Sequence, residues 1–149
     1  MVKRNEMRIL IARPQKDITQ YELPFEKIEK REISAENIVI QRLNPQLSHQ
    51  VSRLVYKTYG YTYPNEDLYY PDTVRRLNES GKLISVVAVD TSNNTVVGHY
   101  AIEMYDNPFI AELGQAIVDA DYGGMGIFTW LREEVEKIAK QMGLKALIT

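Results

Sequence analysis

The stretch Ala111-Glu-Leu-Gly-Gln-Ala-Ile-Val-Asp-Ala-Asp-Tyr-Gly-Gly-Met-Gly-Ile-Phe-Thr-Trp-Leu131 constrains this chain more than any other. It reads as an apolar strand, then a loop carrying Gly123, Gly124 and Gly126, then the start of an amphipathic helix. Glycines let the backbone turn tightly and bring its amides close to a ligand. The helix that follows aims its N-terminal amides and the positive end of its dipole into that turn. The product is either an anion site or only a tight strand-to-helix connection; the glycines alone fit both. Two other phosphate motifs are excluded. There is no Gly-x4-Gly-Lys-Ser/Thr, so this is no Walker loop. Gly123-x-x-Gly126 lacks the third glycine of a dinucleotide fingerprint, and it falls late in the chain.

The remaining elements follow from apolar period and turn signals. Ile127, Leu131, Val135, Ile138 and Met142 fall on one face of the helix after the loop, with charges on the other. Gly143 is expected to close that helix in the left-handed conformation, and Leu144–Thr149 to begin a last strand. Upstream, Leu83–Asp90 and Thr95–Tyr105 read as strands joined by the turn Thr91-Ser-Asn-Asn94, and Ala111–Asp119 as a third. Ile38–Leu43 is a β-branched strand. Asn44-Pro45 then opens a helix carrying Leu47, Val51, Leu54 and Val55. A tyrosine-rich loop follows, and a second helix runs to about Asn78, stopped by Ser80-Gly81. Before all this, Met7–Ala12 reads as a short strand. Residues 1–36, with Pro14, Pro24 and the charged run Glu26–Glu32, read as an extension or linker ahead of a domain over 37–149.

Bulk properties remove several function classes. A chain of 149 residues suits one domain. A formal charge of −2 offers no basic footprint, so nucleic acid is not an expected partner. The absence of cysteine excludes disulfides, thiolate metal sites and a cysteine nucleophile, and leans towards a cytoplasmic setting. His49 and His99 are the only histidines, so no metal site is expected. No apolar run reaches the ~18 residues of a membrane span, and the N-terminus lacks the apolar core of a secretory signal.

Strand, helix, helix, three antiparallel strands, glycine loop, helix, strand is an order that resembles the GNAT N-acetyltransferase superfamily. The apolar strand ending in Val118-Asp119, the short acidic-aromatic stretch and the glycine loop resemble that family locally, over about Asn37–Thr149. Val97-Gly-His-Tyr-Ala-Ile-Glu103 is similar to the family's second core strand. The resemblance implies an α/β sandwich with a mixed, mostly antiparallel sheet. It also implies acetyl transfer from acetyl-CoA to an amine acceptor.

In the family a Gln/Arg-x-x-Gly-x-Gly/Ala loop holds the coenzyme A pyrophosphate. That register falls on Gly123, Gly124, Met125, Gly126, Ile127 and Phe128. Gly124 and Gly126 match well, whereas Gly123 stands where the cation is usual and Phe128 where Gly or Ala is. Losing the cation removes a charge-assisted bond of roughly 1.5–3 kcal/mol. The family's pantetheine-pairing role maps onto Ile117 and Val118.

The chemistry calls for a carboxylate to take the amine's proton and an amide to hold the oxyanion. Some family members carry a glutamate at the position of Glu112, the candidate base. Strand alternation places Glu112, Gly114, Ala116 and Val118 on one face, although a solvated strand-end glutamate is the plainer reading. Glu103 is a second candidate whose ordinary reading is an exposed strand residue. His99 reads better as a strand histidine than as a proton shuttle. In the tyrosine loop, Tyr61, Tyr63 and Glu66 are the candidate acceptor-binding residues; packing competes as their role.

The family pattern continues beyond this last strand, with a helix that often supplies the general acid. The resemblance therefore leads to two further expectations. One is a possible homodimer through the C-terminal edge, with Met7–Ala12 as the competing cover. The other is the alternative function of a non-catalytic acyl-CoA-binding or interaction module.

Overall fold

The computed structural model describes residues 33–149. The expected strand Met7–Ala12, and all but the last four residues of the expected linker, lie outside the described residues. Five strands form one sheet in sequence order: β1 (Ile38–Arg42), β2 (Leu83–Asp90), β3 (Thr95–Met104), β4 (Ile110–Val118) and β5 (Ala146–Ile148). All neighbours are antiparallel except β4 and β5, which run parallel through Ile110↔Ala146 to Glu112↔Ile148. Helices α1 (Ser48–Tyr59) and α2 (Pro71–Ser80) cover one face, and α3 (Ile127–Gln141) covers the other. The expected mixed α/β sandwich is therefore present.

Helix boundaries follow the local chemistry. The Asn44 side chain accepts from the Gln46 amide, and Pro45 opens a 3-10 turn that leads into α1. Pro71 starts α2, and Gly81 ends it in the left-handed region at φ 79°. Gly143, at φ 75°, turns the chain after α3 as its sequence implies. Met142, expected on the buried stripe, is instead 42% exposed, because it caps the helix beyond its last packed turn.

β2 is buried along its whole length, as its run Leu-Ile-Ser-Val-Val-Ala-Val-Asp fits, since both faces are covered. Leu83, Val87 and Val89 pack with Val51, Leu54, Val55 and Val74 of α1 and α2. Ile84, Val86 and Ala88 pack with Ile127, Leu131, Val135 and Ile138 of α3. Gly98 makes the second contact possible. A Cβ there would lie 3.0 Å from the Ile127 Cγ2 and 3.1 Å from the Leu131 Cδ1. The Gly98→Val variant should therefore lose about 2 kcal/mol or more through overpacking under α3, read as a lower urea midpoint at unchanged slope.

Two bulges interrupt the ladders, one between Ala88 and Val89 and one opposite Tyr100. In the second, Ala101 pairs with Gly114 and His99 with Ile117, so Gln115 and Ala116 share one position. Gln115 takes φ 60° to make the extra step. This corrects the expected alternation. Glu112 and Gly114 stay on the α1–α2 face, where Ile117 also packs, while Ala116 and Val118 turn towards α3.

Candidate functional site

Five hydrogen bonds fix where the glycine loop begins. The Asp119 amide donates to the Val97 carbonyl (2.8 Å), and the Asp119 carboxylate accepts from the Asp121 amide (2.9 Å). Lys57, from α1, reaches both Asp119 (2.7 Å) and Asp121 (2.9 Å). The buried Tyr122 donates its hydroxyl proton to Asp90 at 2.6 Å, across to the β2–β3 turn. Burial, then that bond, push the Tyr122 phenol well above its ordinary value. Burial alone would raise the Asp90 carboxyl, yet bonds from the Ser92 hydroxyl, Tyr122 and the Ser92 amide hold it below the usual range. Lys57 lies more than sixty positions from its partners, and no local sequence signal announces it.

The loop itself leaves its donors open. The Gly123 amide bonds back to Ala120, and the next amide in the run with a partner is that of Trp130, donating to Gly126. From Gly124 to Thr129 no backbone amide donates a hydrogen bond among the described residues. Gly124 and Gly126 stand at φ 83° and 90°, values that glycine adopts without strain. The amides at the start of a 15-residue helix thus meet its positive dipole end. The Phe128 ring stacks on Tyr100 of β3, with centroids 5.5 Å apart, so it leans on the sheet. A depression of about 330 Å³, lined by Ile33, Ala35, Asp121, Gly123 and Met125, adjoins the loop.

Ile117 and Val118 lead directly into this loop. On the side away from β3, β4 from Leu113 to Val118 has no strand partner among the described residues. Glu112 stands opposite Glu103 in the β3–β4 ladder, so the two carboxylates share the α1–α2 face. Neither has an ion-pair partner among the described residues. The register places Glu112 between Glu103 of β3 and Ile148 of β5, at the last pair before β4 and β5 part. Tyr105, at the end of the same face, is held above its ordinary pKa by desolvation, then by the charges of Glu112 and Glu103.

A cavity of about 60 Å³ lies on this face, lined by Asn65, Asp67, Leu68, Leu77, Lys82, Leu83, Glu103 and Gln115. The tyrosine loop contributes Asn65 and Asp67 to it, rather than Tyr61, Tyr63 or Glu66. Tyr61 is 48% exposed and stands edge-on to Tyr56. Tyr63 packs partly into the α1–α2 core, against Tyr59. Glu66 opens the 3-10 turn Glu66–Tyr69. The loop is held by a residue that sequence reasoning passed over: the buried Tyr69 hydroxyl donates to the Gly60 carbonyl (2.6 Å) and accepts from the Tyr63 amide (2.9 Å). His99 is wholly buried between Ser85 and Gln115. Burial lowers its pKa to about 4, against a raising bond with the Gln115 backbone, so the ring is neutral near pH 7.

A β4 edge without a strand partner from Leu113 to Val118 among the described residues, followed by an open run of amides at the next helix, defines a class: an α/β protein with a strand, glycine loop and helix unit beside a sheet edge. The chain matches the model of the acetyltransferase (GNAT) family over residues 48–149 and belongs to that family. No curated protein matches it. Solved structures of the same fold include a GNAT-family acetyltransferase from Staphylococcus aureus (15% identity, 74% of this chain and 70% of that one, TM-score 0.62). A GNAT-family N-acetyltransferase from Escherichia coli in complex with CoA is similar at 20% identity, over 74% and 61%, TM-score 0.59. One from Brucella melitensis in complex with acetyl-CoA follows at 21%, over 74% and 73%, TM-score 0.57. Among the described residues no group of acidic or histidine side chains could hold a metal, and no helix is long and apolar enough to cross a membrane.

Proposed function

We propose that this chain binds acetyl-CoA at Gly123–Phe128 and transfers the acetyl group to an amine that enters from the α1–α2 face. The open amides of Gly124–Thr129 carry this reading, because they are donors at a dipole end with no partner among the described residues. They would hold the pyrophosphate, and the free edge of β4 beside Ile117 and Val118 would pair with the pantetheine arm. The opposed carboxylates of Glu103 and Glu112, with Asp67 across the cavity, would attract a cationic amine.

The amine must lose a proton before its nitrogen attacks the thioester carbon; Glu112, directly or through water, would take it. A β4 amide at the bulge would hold the oxyanion as it forms. Collapse of the tetrahedral intermediate breaks the carbon–sulfur bond; coenzyme A leaves as the thiolate and takes up a proton as the attacking nitrogen sheds its second one. Glu112→Gln should lower kcat by 10²–10⁴-fold, the range of a general base, with little change in acetyl-CoA affinity. Glu103→Gln should mainly raise the KM for the amine. If the two variants exchange these effects, Glu103 is the base.

One observation favours a second reading, an acyl-CoA-binding module without turnover. The loop has glycine where the family carries a cation, and its neighbours Asp119 and Asp121 are acidic. Calorimetric titration with acetyl-CoA, followed by thiol-release assays with simple amines, separates the readings. Heat without turnover selects the module, and no heat rejects both.

A further inference from the structure

The bulge in β4 is strained where it turns. Gln115 is not glycine, and a side chain at φ 60° costs roughly 1–2 kcal/mol. Such a residue persists only where its surroundings over-determine it. What surrounds it here is a directed line of hydrogen bonds that crosses the sheet.

The line can be read without ambiguity. The Gln115 carbonyl can only accept, so the His99 nitrogen 2.7 Å away, Nδ1, carries the proton. In a neutral ring Nε2 must then accept, so the Ser85 hydroxyl, at 2.9 Å, donates to it. The Ser85 oxygen in turn accepts from the Asn78 amide nitrogen at 3.1 Å. Asn78 is fixed from both sides, since its oxygen accepts from the Ser85 amide (2.8 Å) and its nitrogen also donates to the Val74 carbonyl (3.0 Å). Helix α2 is thereby tied, through β2 and β3, to one carbonyl of β4. Ser85 and His99 are 1% and 0% exposed, so water does not compete for these bonds.

We infer that His99 is a positioning residue: its Nδ1–H holds the Gln115 carbonyl and fixes the β4 bulge that separates the carboxylate face from the acyl-CoA edge. The register gives this its consequence. A regular strand would keep Glu112 and Val118 on one face, because side chains alternate with period two. The bulge instead leaves Glu112 on the α1–α2 face and turns Val118 towards α3, where the glycine loop leads into the helix. Base and acyl-CoA site can then work from two sides of one strand. The inference rests on the acetyltransferase reading above.

The test compares His99→Leu, which keeps bulk and loses both nitrogens, with His99→Asn, whose side-chain N–H can replace the Nδ1 donor. Each is titrated calorimetrically with acetyl-CoA. Each is checked for folding by its thermal transition and by the amide spectrum of Gly114–Val118. In folded His99→Leu, acetyl-CoA affinity should fall at least tenfold and the Gly114–Val118 resonances should move, while His99→Asn stays within threefold of the parent. Should His99→Leu not fold, Ser85→Ala takes its place, with an expected three- to tenfold loss. In the parent, nitrogen shifts of the imidazole at pH 7 should report a neutral ring protonated at Nδ1. Parent-like affinity in a folded His99→Leu or Ser85→Ala, equal losses in His99→Leu and His99→Asn, or a ring protonated at Nε2 would each overturn the clamp alone. A parent that gives no heat with acetyl-CoA overturns the acetyltransferase reading, and the clamp's role in it falls too.

Discussion

Gly126→Val should reduce acetyl-CoA affinity about a hundredfold while leaving the chain folded. Gly126 sits at φ 90°, ψ 15°, immediately before α3. A β-branched side chain in that region is a genuine outlier, and left-handed backbone costs roughly 1–2 kcal/mol even for simpler residues. The chain relieves the strain by rotating the Gly126 peptide, which swings the amides on either side away from their common aim. Each charge-assisted bond to a phosphate is worth about 1.5–3 kcal/mol. Losing one or two of them gives the hundredfold figure, since about 1.4 kcal/mol is tenfold. The cost is one of backbone conformation, since the Trp130 indole lies 3.8 Å from where a Cβ would stand, an ordinary contact distance. Gly143→Ala is the control: it also carries positive φ, 75°, but at the far end of α3 with nothing nearby. It should lose some stability and keep its affinity. Titration calorimetry on both variants decides, and equal affinities would place the anion site elsewhere.

How far the sequence speaks depends on the kind of information each feature needs. The glycine loop and α3 are local, since glycines, a 3.6-residue period and a closing Gly143 all act within a few positions. β2 is legible because eight mostly apolar residues, half of them β-branched, fit a strand covered on both faces. The order of these elements was enough to suggest the family. The bulge at Gln115 is different. Nothing in Leu-Gly-Gln-Ala-Ile marks glutamine as the residue with positive φ, and Gly114 beside it would be the natural guess. One extra residue then reverses the facing of everything after it, which is why Ala116 and Val118 were assigned to the wrong side. The line from Asn78 to Gln115 was equally hidden. Its members are scattered over α2, β2, β3 and β4, and Ser85 or His99 alone reads as an ordinary polar residue in a strand. Lys57 with Asp119 is hidden for the same reason, since the partners meet only after the sheet has formed, whereas Tyr69 and Gly60 meet when the connection between α1 and α2 folds back on itself.

The same burial that hides His99 makes the fold sensitive to acid in a defined window. The imidazole titrates near 6.5 when exposed and near 4 in the fold, chiefly because burial disfavours the cation. Between those values the unfolded chain binds a proton that the native state refuses. Stability is therefore complete above pH 6.5 or so and declines as pH falls through the window. The difference of 2.5 units, from 6.5 to 4, corresponds to about 3 kcal/mol in total, of which roughly 2 kcal/mol is gone by pH 5. That is a large share of the 5–15 kcal/mol typical of a domain. Asp90 acts in a lower range. Its folded pKa is below the ordinary 3.8, so its contribution is present above that value and lost only as pH falls below it. Urea unfolding at pH 7, 5.5 and 4.5 should show the midpoint falling steadily. In a folded His99→Asn chain, which has nothing to protonate there, that slope should flatten. An unchanged slope in that variant would mean that the proton binds elsewhere and that His99 is not buried neutral.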